Sequence, residues 1–86
     1  MKILFHKNFE KQYKKLTKRE KEKVRERLGL FLENPFDPQL NNHPLKGKYV
    51  DYRSINITGD IRAVYKFIDK EECIFVVIGS HSNLYS

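Results

Sequence analysis

Apolar residues recur along this chain with two different periods, and the change of period divides it into helical and extended halves. Phe9, Tyr13 and Leu16 are spaced i, i+4, i+7, and Val24, Leu28, Phe31 and Leu32 continue a helical stripe. Past Asn42 the pattern alternates. Ile55 and Ile57 oppose Tyr52, Ser54 and Asn56; then Ile61, Ala63, Tyr65 and Phe67 oppose Asp60, Arg62, Val64 and Lys66. A near-continuous apolar run, Cys73 to Ile78, has the length and β-branched content of a buried strand, and Gly79 is expected to end it.

Local signals set the boundaries. Lys2 to Phe5 reads as a short first strand, and Asn8 is placed to cap the first helix. Thr17 and Glu20 match a capping box, which starts a second helix from about Lys18 to about Glu33. Asn34-Pro35 stops it, because proline disfavours helical geometry in the residue before it. Phe36 to Asn42 reads as loop, Tyr49 to Ile57 as a strand, Thr58-Gly59 as a tight turn and Asp69 to Glu72 as a polar turn. The expected order is β-α-α-β-β-β. This is an α+β domain over residues 1–86, with a helical hairpin on one face of a mostly antiparallel, four-stranded sheet.

At 86 residues the chain is one domain, and such a chain buries roughly 60–65% of its unfolded surface. Neither a membrane-spanning apolar run nor a secretory signal pattern is present, so no membrane partner is expected. The single cysteine, Cys73, lies inside the apolar run; it reads as a buried thiol of a cytoplasmic protein, and no cluster has metal-ligand spacing. The net charge of +6 points to a polyanionic partner, although the mixed Lys/Arg/Glu face of the second helix fits simple solvation better than RNA contact. The alternation leaves Tyr52, Ser54, Asn56, Asp60, Arg62 and Lys66 on the second face of the sheet, a polar and partly cationic surface. His43 precedes that surface, and His81 and Tyr85 follow the last strand.

The segment HPLKGKYVDYRSINITGDIRAVYKF, His43 to Phe67, together with IGSHSNLY, Ile78 to Tyr85, resembles the YafQ branch of the RelE/ParE toxin superfamily. The resemblance rests on the His-Pro-Leu-x-Gly start, the Tyr-Arg pair, the Val-Tyr-Lys strand and the Gly-x-His-x-x-Leu-aromatic ending. It covers about half the chain by motif. It implies the toxin of a type II toxin–antitoxin pair, one that cleaves mRNA in the ribosomal A site without a metal or other cofactor and is silenced by a cognate antitoxin. By the same resemblance His43 matches the histidine of the His-Pro-Leu motif and Asp60 an acidic residue at the turn before the third strand. His81 matches the proposed proton donor, Tyr85 a C-terminal aromatic, and Arg62 an arginine of the RelE branch. The YafQ pattern has Asp and His where this chain has Ser54 and Asn56, side chains that hydrogen-bond but do no acid–base work at neutral pH. More of the chemistry then rests on His43 and His81.

RNA cleavage by its own 2′-OH needs a base for that hydroxyl, an acid for the departing 5′ oxygen and cations for the phosphorane. Histidine suits the first two and arginine the third. The expected roles are therefore His81 as general acid and His43 or Asp60 as the base or its orienter. Arg62, with Arg53 and Lys46, would stabilise charge; Lys46, Lys48, Arg53 and Lys66 would bind RNA, and Tyr85 would stack on a base. Arg53 shares the parity of Ile55 and Ile57, which also fits a structural role; Asp60 is equally an ordinary turn residue, and Tyr49, Tyr52 and Tyr65 fit sheet packing. Two other functions share the fold: a ParE-like inhibitor of DNA gyrase, and a catalytically weak homologue that only binds its antitoxin.

Overall fold

In the computed structural model residues 1–85 are described; Ser86 and the side chains of Asn83 and Tyr85 lie outside the described residues. The chain runs β1 (Lys2–Phe5), α1 (Lys7–Lys14), α2 (Lys18–Glu33), β2 (His43–Pro44), β3 (Arg53–Asn56), β4 (Ile61–Phe67), β5 (Glu72–Ser80) and α3 (His81–Tyr85). The sheet has five strands in the order β1-β5-β4-β3-β2, not the expected four. The extra strand is the two-residue β2, which pairs His43 with Ser54 and Pro44 with Arg53. Proline suits it, because an edge strand need not donate on its open side. β1 runs parallel to β5 and the other pairs are antiparallel.

α2 begins with the expected capping box: Thr17 Oγ1 accepts from Glu20 N–H, and Glu20 Oε1 accepts from Thr17 N–H. The cap of α1 is His6 rather than Asn8, since His6 Nδ1 accepts from Asn8 N–H at 3.0 Å. His6 also donates its own N–H to Phe75 O, so one residue joins β1 to the helix. The 36–42 stretch holds a 3₁₀ turn, Pro38–Leu40, whose Leu40 is fully buried. The strand expected from Tyr49 is shorter, because Gly47–Tyr49 forms a second 3₁₀ turn and Tyr52 N–H closes it on Tyr49 O.

Both helices lie on one face of the sheet, over an aromatic core. Phe31 meets Tyr65 and Phe75 edge-on, with ring centroids 4.9 and 5.3 Å apart, while Tyr65 and Phe75 stack at 5.0 Å. Leu32, placed on the stripe by its spacing, is half exposed instead. Phe75 and Ile78 both enter this core although three residues apart. The register steps from Tyr65–Phe75 to Val64–Val77, so Val76 is the extra residue of a bulge. β1 has ended by then, and the side chain of Gln12 on α1 accepts from Ile78 N–H at 2.8 Å.

Tyr65 Oη is held by Asn42 Nδ2, and Asn42 Oδ1 accepts from Arg53 Nε at 2.6 Å. The Arg53 guanidinium lies 5.1 Å from the Phe36 ring centre. Burial raises the Tyr65 pKa above its usual value, against the lowering effect of Asn42 and Arg53.

The second face is less polar than the alternation suggests. Ser54 and Val64, paired directly across β3 and β4, are both fully buried. Val77 continues their row, and Leu4 and Ile74 pair further along the same face. Gly79 does not end β5; it pairs with Arg62, and the strand continues to Ser80.

Candidate active site

The polar end of the sheet is built around the turn between β3 and β4. Thr58 Oγ1 accepts from Asp60 N–H and Ile61 N–H, which fixes the turn locally. Arg62 Nη1 donates to Thr58 O at 2.9 Å and to Gly59 O at 3.2 Å, folding the guanidinium back over the turn. Asp60 O in turn accepts from His81 N–H at 2.8 Å. The start of α3 is therefore tied to the turn that carries Asp60 and Arg62. His81, about twenty residues further along the chain, is thereby brought beside Asp60 and Arg62. Among the described residues the ion pair present is Lys23–Glu26, so Arg62 is not matched to a carboxylate.

His43 lies elsewhere on the same face. It pairs with Ser54 in β2, three strand spacings from β5, or about 14 Å. Its Nδ1 is 2.8 Å from Asn41 O, and a carbonyl only accepts, so this bond selects the Nδ1–H tautomer. In the neutral ring Nε2 then carries the lone pair, the form a general base needs. Asn41 holds its carbonyl there through a left-handed backbone, φ 47°.

The cations divide. Lys66 sits 5.3 Å from the Tyr52 ring centre, Lys48 sits 5.4 Å from that of Tyr49, and the two rings meet edge-on at 5.8 Å. This makes a pair of aromatics flanked by a cation on each side, beside β2 and β3, of the kind that serves stacked single-stranded bases. Lys46 is exposed at the start of the 3₁₀ turn. Arg53 stands apart, on the helix side with Asn42 and Phe36. Tyr65 is core. The Tyr85 side chain lies outside the described residues. Tyr52 and Tyr49, expected from the alternation to pack in the sheet, stand instead beside Lys66 and Lys48. The signal was the hairpin register: pairing Arg53 with Tyr65 puts Tyr52 opposite Lys66 one step further.

α3 turns back onto the sheet. Leu84 lies against Gly79, on the face shared by Arg62 and Val77. Among the described residues no group of three or more His, Cys, Asp and Glu could hold a metal ion.

Residues 1–86 match the family described as "Bacterial toxin of type II toxin-antitoxin system, YafQ". The chain belongs to the YafQ family of type II toxins. A solved structure of YafQ from E. coli strain BL21(DE3) is 25% identical, covers 98% of this chain and 97% of its own, and superposes with a TM-score of 0.81. YafQ in the E. coli DinJ–YafQ toxin–antitoxin complex is also 25% identical, covers 98% and 96%, and gives 0.78. A metal-bound toxin from Helicobacter pylori is 31% identical, covers 99% of both chains and gives 0.71. No curated protein matches the chain. The YafQ-family fold thus extends over essentially the whole domain, and the helical hairpin on a mixed sheet is common to these toxins. Among the described residues no helix of this YafQ-family toxin is long and apolar enough to cross a membrane.

Proposed function

We propose that this YafQ-family toxin is a ribosome-dependent endoribonuclease that cleaves mRNA by attack of a 2′-OH on the adjacent phosphate, using side chains alone. The observation that carries the reading is the junction at the β3–β4 turn. His81 N–H bonds to Asp60 O while Arg62 folds over the same turn, so the residues that carry an imidazole, a carboxylate and a guanidinium without a carboxylate partner meet at one turn.

In this reading His81 donates a proton to the departing 5′ oxygen, and Arg62 offers cationic charge to the phosphorane. His43, with its Nε2 lone pair selected by Asn41 O, takes the proton of the 2′-OH from the opposite side of the face. Asp60 orients His81 and stands nearer to it than His43 does. Tyr52 and Tyr49 stack flanking bases while Lys66, Lys48 and Lys46 meet phosphates. Tyr85 stacks at the C-terminal end. Ser54 is buried and makes no contact with substrate.

The partners are a cognate antitoxin, the ribosome and mRNA, and the compartment is the cytoplasm, where they meet. An antitoxin is supported by the E. coli YafQ complex with DinJ and by the +6 charge of this chain, which favours an acidic binding segment.

The test is in vitro translation of a defined mRNA with wild-type protein or His81→Ala, mapping 5′ ends by primer extension beside a ribosome-free control. Codon-phased cuts that need both ribosomes and His81 are expected. Growth arrest without cuts overturns the proposal and points to gyrase; neither arrest nor cuts points to a homologue that only binds its antitoxin.

A further inference from the structure

The imidazole of His43 is aimed from the core, through a residue to which no functional role has been given above. Its tautomer follows from the carbonyl of Asn41, which Nδ1 meets at 2.8 Å. That carbonyl belongs to the planar peptide joining residues 41 and 42, so its direction is set by what holds the Cα atoms at the two ends of the plane. At one end Asn41 closes the first 3₁₀ turn in the left-handed region, φ 47° and ψ 48°, with its N–H on Pro38 O. Leu40 before it is fully buried, and Asp37 caps the turn by accepting from Gln39 N–H at 2.9 Å. At the other end Asn42 is pinned by its side chain. Nδ2 donates to Pro35 O at 2.8 Å and to Tyr65 Oη, and Oδ1 accepts from Arg53 Nε at 2.6 Å. The Pro35 carbonyl only accepts and the guanidinium only donates, so the amide has one orientation, and both of its protons are used. Its partners are themselves fixed: Tyr65 is fully buried, and Pro35 directly follows the C-cap of α2.

We propose that Asn42 is a positioning residue for His43: it holds the 41–42 peptide so that Asn41 O keeps the proton on Nδ1 and leaves Nε2 of the neutral ring as the proton acceptor. Asn42 touches no reacting atom in this role and acts through the peptide it anchors. The strand alone does not aim the ring. β2 is two residues long, and pairing His43 with Ser54 fixes the backbone of His43 without fixing its side-chain torsions. His6 supplies the contrast within the same chain. Its Nδ1 accepts from Asn8 N–H at 3.0 Å, so in the neutral ring the proton sits on Nε2, the opposite tautomer. One backbone group thus sets each ring, a donor for His6 and an acceptor for His43. For His6 the group is in the first turn of α1; for His43 it is a loop carbonyl that stays in place because Asn42 ties it to the core. The inference rests on the nuclease reading for what the Nε2 lone pair does, and not for where the proton is.

The experiment uses the full chain with nitrogen-15 in its histidine rings and reads the tautomers from long-range proton–nitrogen correlation spectra at about pH 8.5, above the ordinary histidine range. His43→Gln and His6→Gln assign the signals. In the wild type His43 is expected mainly as Nδ1–H and His6 mainly as Nε2–H. Asn42→Ala is expected to lower the Nδ1–H to Nε2–H ratio of His43 about fivefold, the size of one net hydrogen bond, while that of His6 stays put. Asn42→Asp keeps an acceptor for Arg53 and loses both donated protons. It is the milder variant should Asn42→Ala not fold, and a shift in the same direction of about twofold is expected. Tyr65→Phe lowers stability from the core but leaves Asn42 on Pro35 and Arg53, so the ratio is expected to hold. Thermal melts show which variants are folded. The proposal is overturned if wild-type His43 is mainly Nε2–H, if a folded Asn42 variant keeps the wild-type ratio, or if Tyr65→Phe lowers it as far. Cleavage is read separately by primer extension in the translation reaction. Asn42→Ala is expected to lower the rate at saturating toxin about two- to fivefold with the half-maximal concentration unchanged. A shifted ratio with no cleavage by the wild type would keep the tautomer device and sink the nuclease. A shifted ratio with cleavage at the wild-type rate would keep the nuclease and overturn the positioning role.

Discussion

Leu84 lies over Gly79, so close that a β-carbon at position 79 would stand 3.5 Å from Leu84 Cδ2. Gly79 belongs to β5, and α3 folds back against the strand that has just ended, with Leu84 over this small residue. The glycine, the histidine two residues on and the leucine five residues on thus act together. The first makes room, the third closes the fold, and His81 is held at the bend with its N–H on Asp60 O. Gly79→Ala adds an ordinary contact and is expected to keep activity within about twofold. Gly79→Val displaces Leu84 and is expected to lower codon-phased cleavage at least tenfold while the melting temperature moves only a few degrees, because a β-branched residue suits the strand. Primer extension beside a thermal melt checks both.

Arg53 and Arg62 are nine residues apart and face opposite sides of the sheet, so their substitutions should separate cleanly. Arg53 supports Asn42, which holds Tyr65 Oη, and Arg53→Ala is expected to cost about 2 kcal/mol of stability. Its cleavage rate per folded molecule should stay within about twofold. Arg62→Ala removes the guanidinium from the β3–β4 turn and, if the proposed nuclease activity holds, is expected to lower cleavage about a hundredfold at nearly unchanged stability. Urea titrations with rate measurements distinguish them. A large rate loss from Arg53→Ala in fully folded protein would return that residue to the RNA.

These contrasts show what a sequence can carry. Thr17 and Glu20 announced their capping box because the motif is local, and the parity of Arg53 with Ile55 already hinted at its structural side. Gly79 as a stop was misleading, because a strand end is set by ladder partners, and Arg62 supplies one at that position. Asn8 looked like the better cap, yet His6 has the reach once β1 fixes its direction. His43-Pro44 falls between the expected loop and the expected strand with no element of its own, since two residues have no period; only the pairing with Ser54 and Arg53 makes them a strand. The bulge at Val76 and the reach of Gln12 to Ile78 depend on β1 ending early, a tertiary fact without a local signature. The bond from His81 to Asp60 is backbone to backbone, so no side-chain identity could announce it.

Tyr52 offers its ring to Lys66 on one side and Tyr49 on the other, and its hydroxyl is not part of that geometry. Stacking on a base contributes about 1–3 kcal/mol, so Tyr52→Ala is expected to raise the toxin concentration for half-maximal cleavage about tenfold. Tyr52→Phe keeps the ring and should behave like wild type. Equal losses from both variants would assign the role to the hydroxyl instead of the stack. Toxin titrations in the translation reaction, with primer extension as readout, measure this directly.

Cys73 is fully buried between Ile3 and Phe67, its neighbours across β1 and β4, and burial pushes its thiol up to about 11. The sign follows from which form the fold favours. A raised thiol pKa means the folded chain keeps its proton where the unfolded chain has lost it, so the contribution is full below about pH 9 and declines as pH rises towards 11. Tyr65, also raised by burial, acts in the same direction at higher pH. Wild-type stability is therefore expected to fall by about 2 kcal/mol more than that of Cys73→Ala over this interval, although the variant starts lower because it leaves a small cavity. Urea unfolding at pH 7, 9 and 10.5 checks the difference in slope. Parallel pH dependences of the two proteins would show that the thiol ionises as readily in the fold as in the unfolded chain, which its place in the sheet argues against.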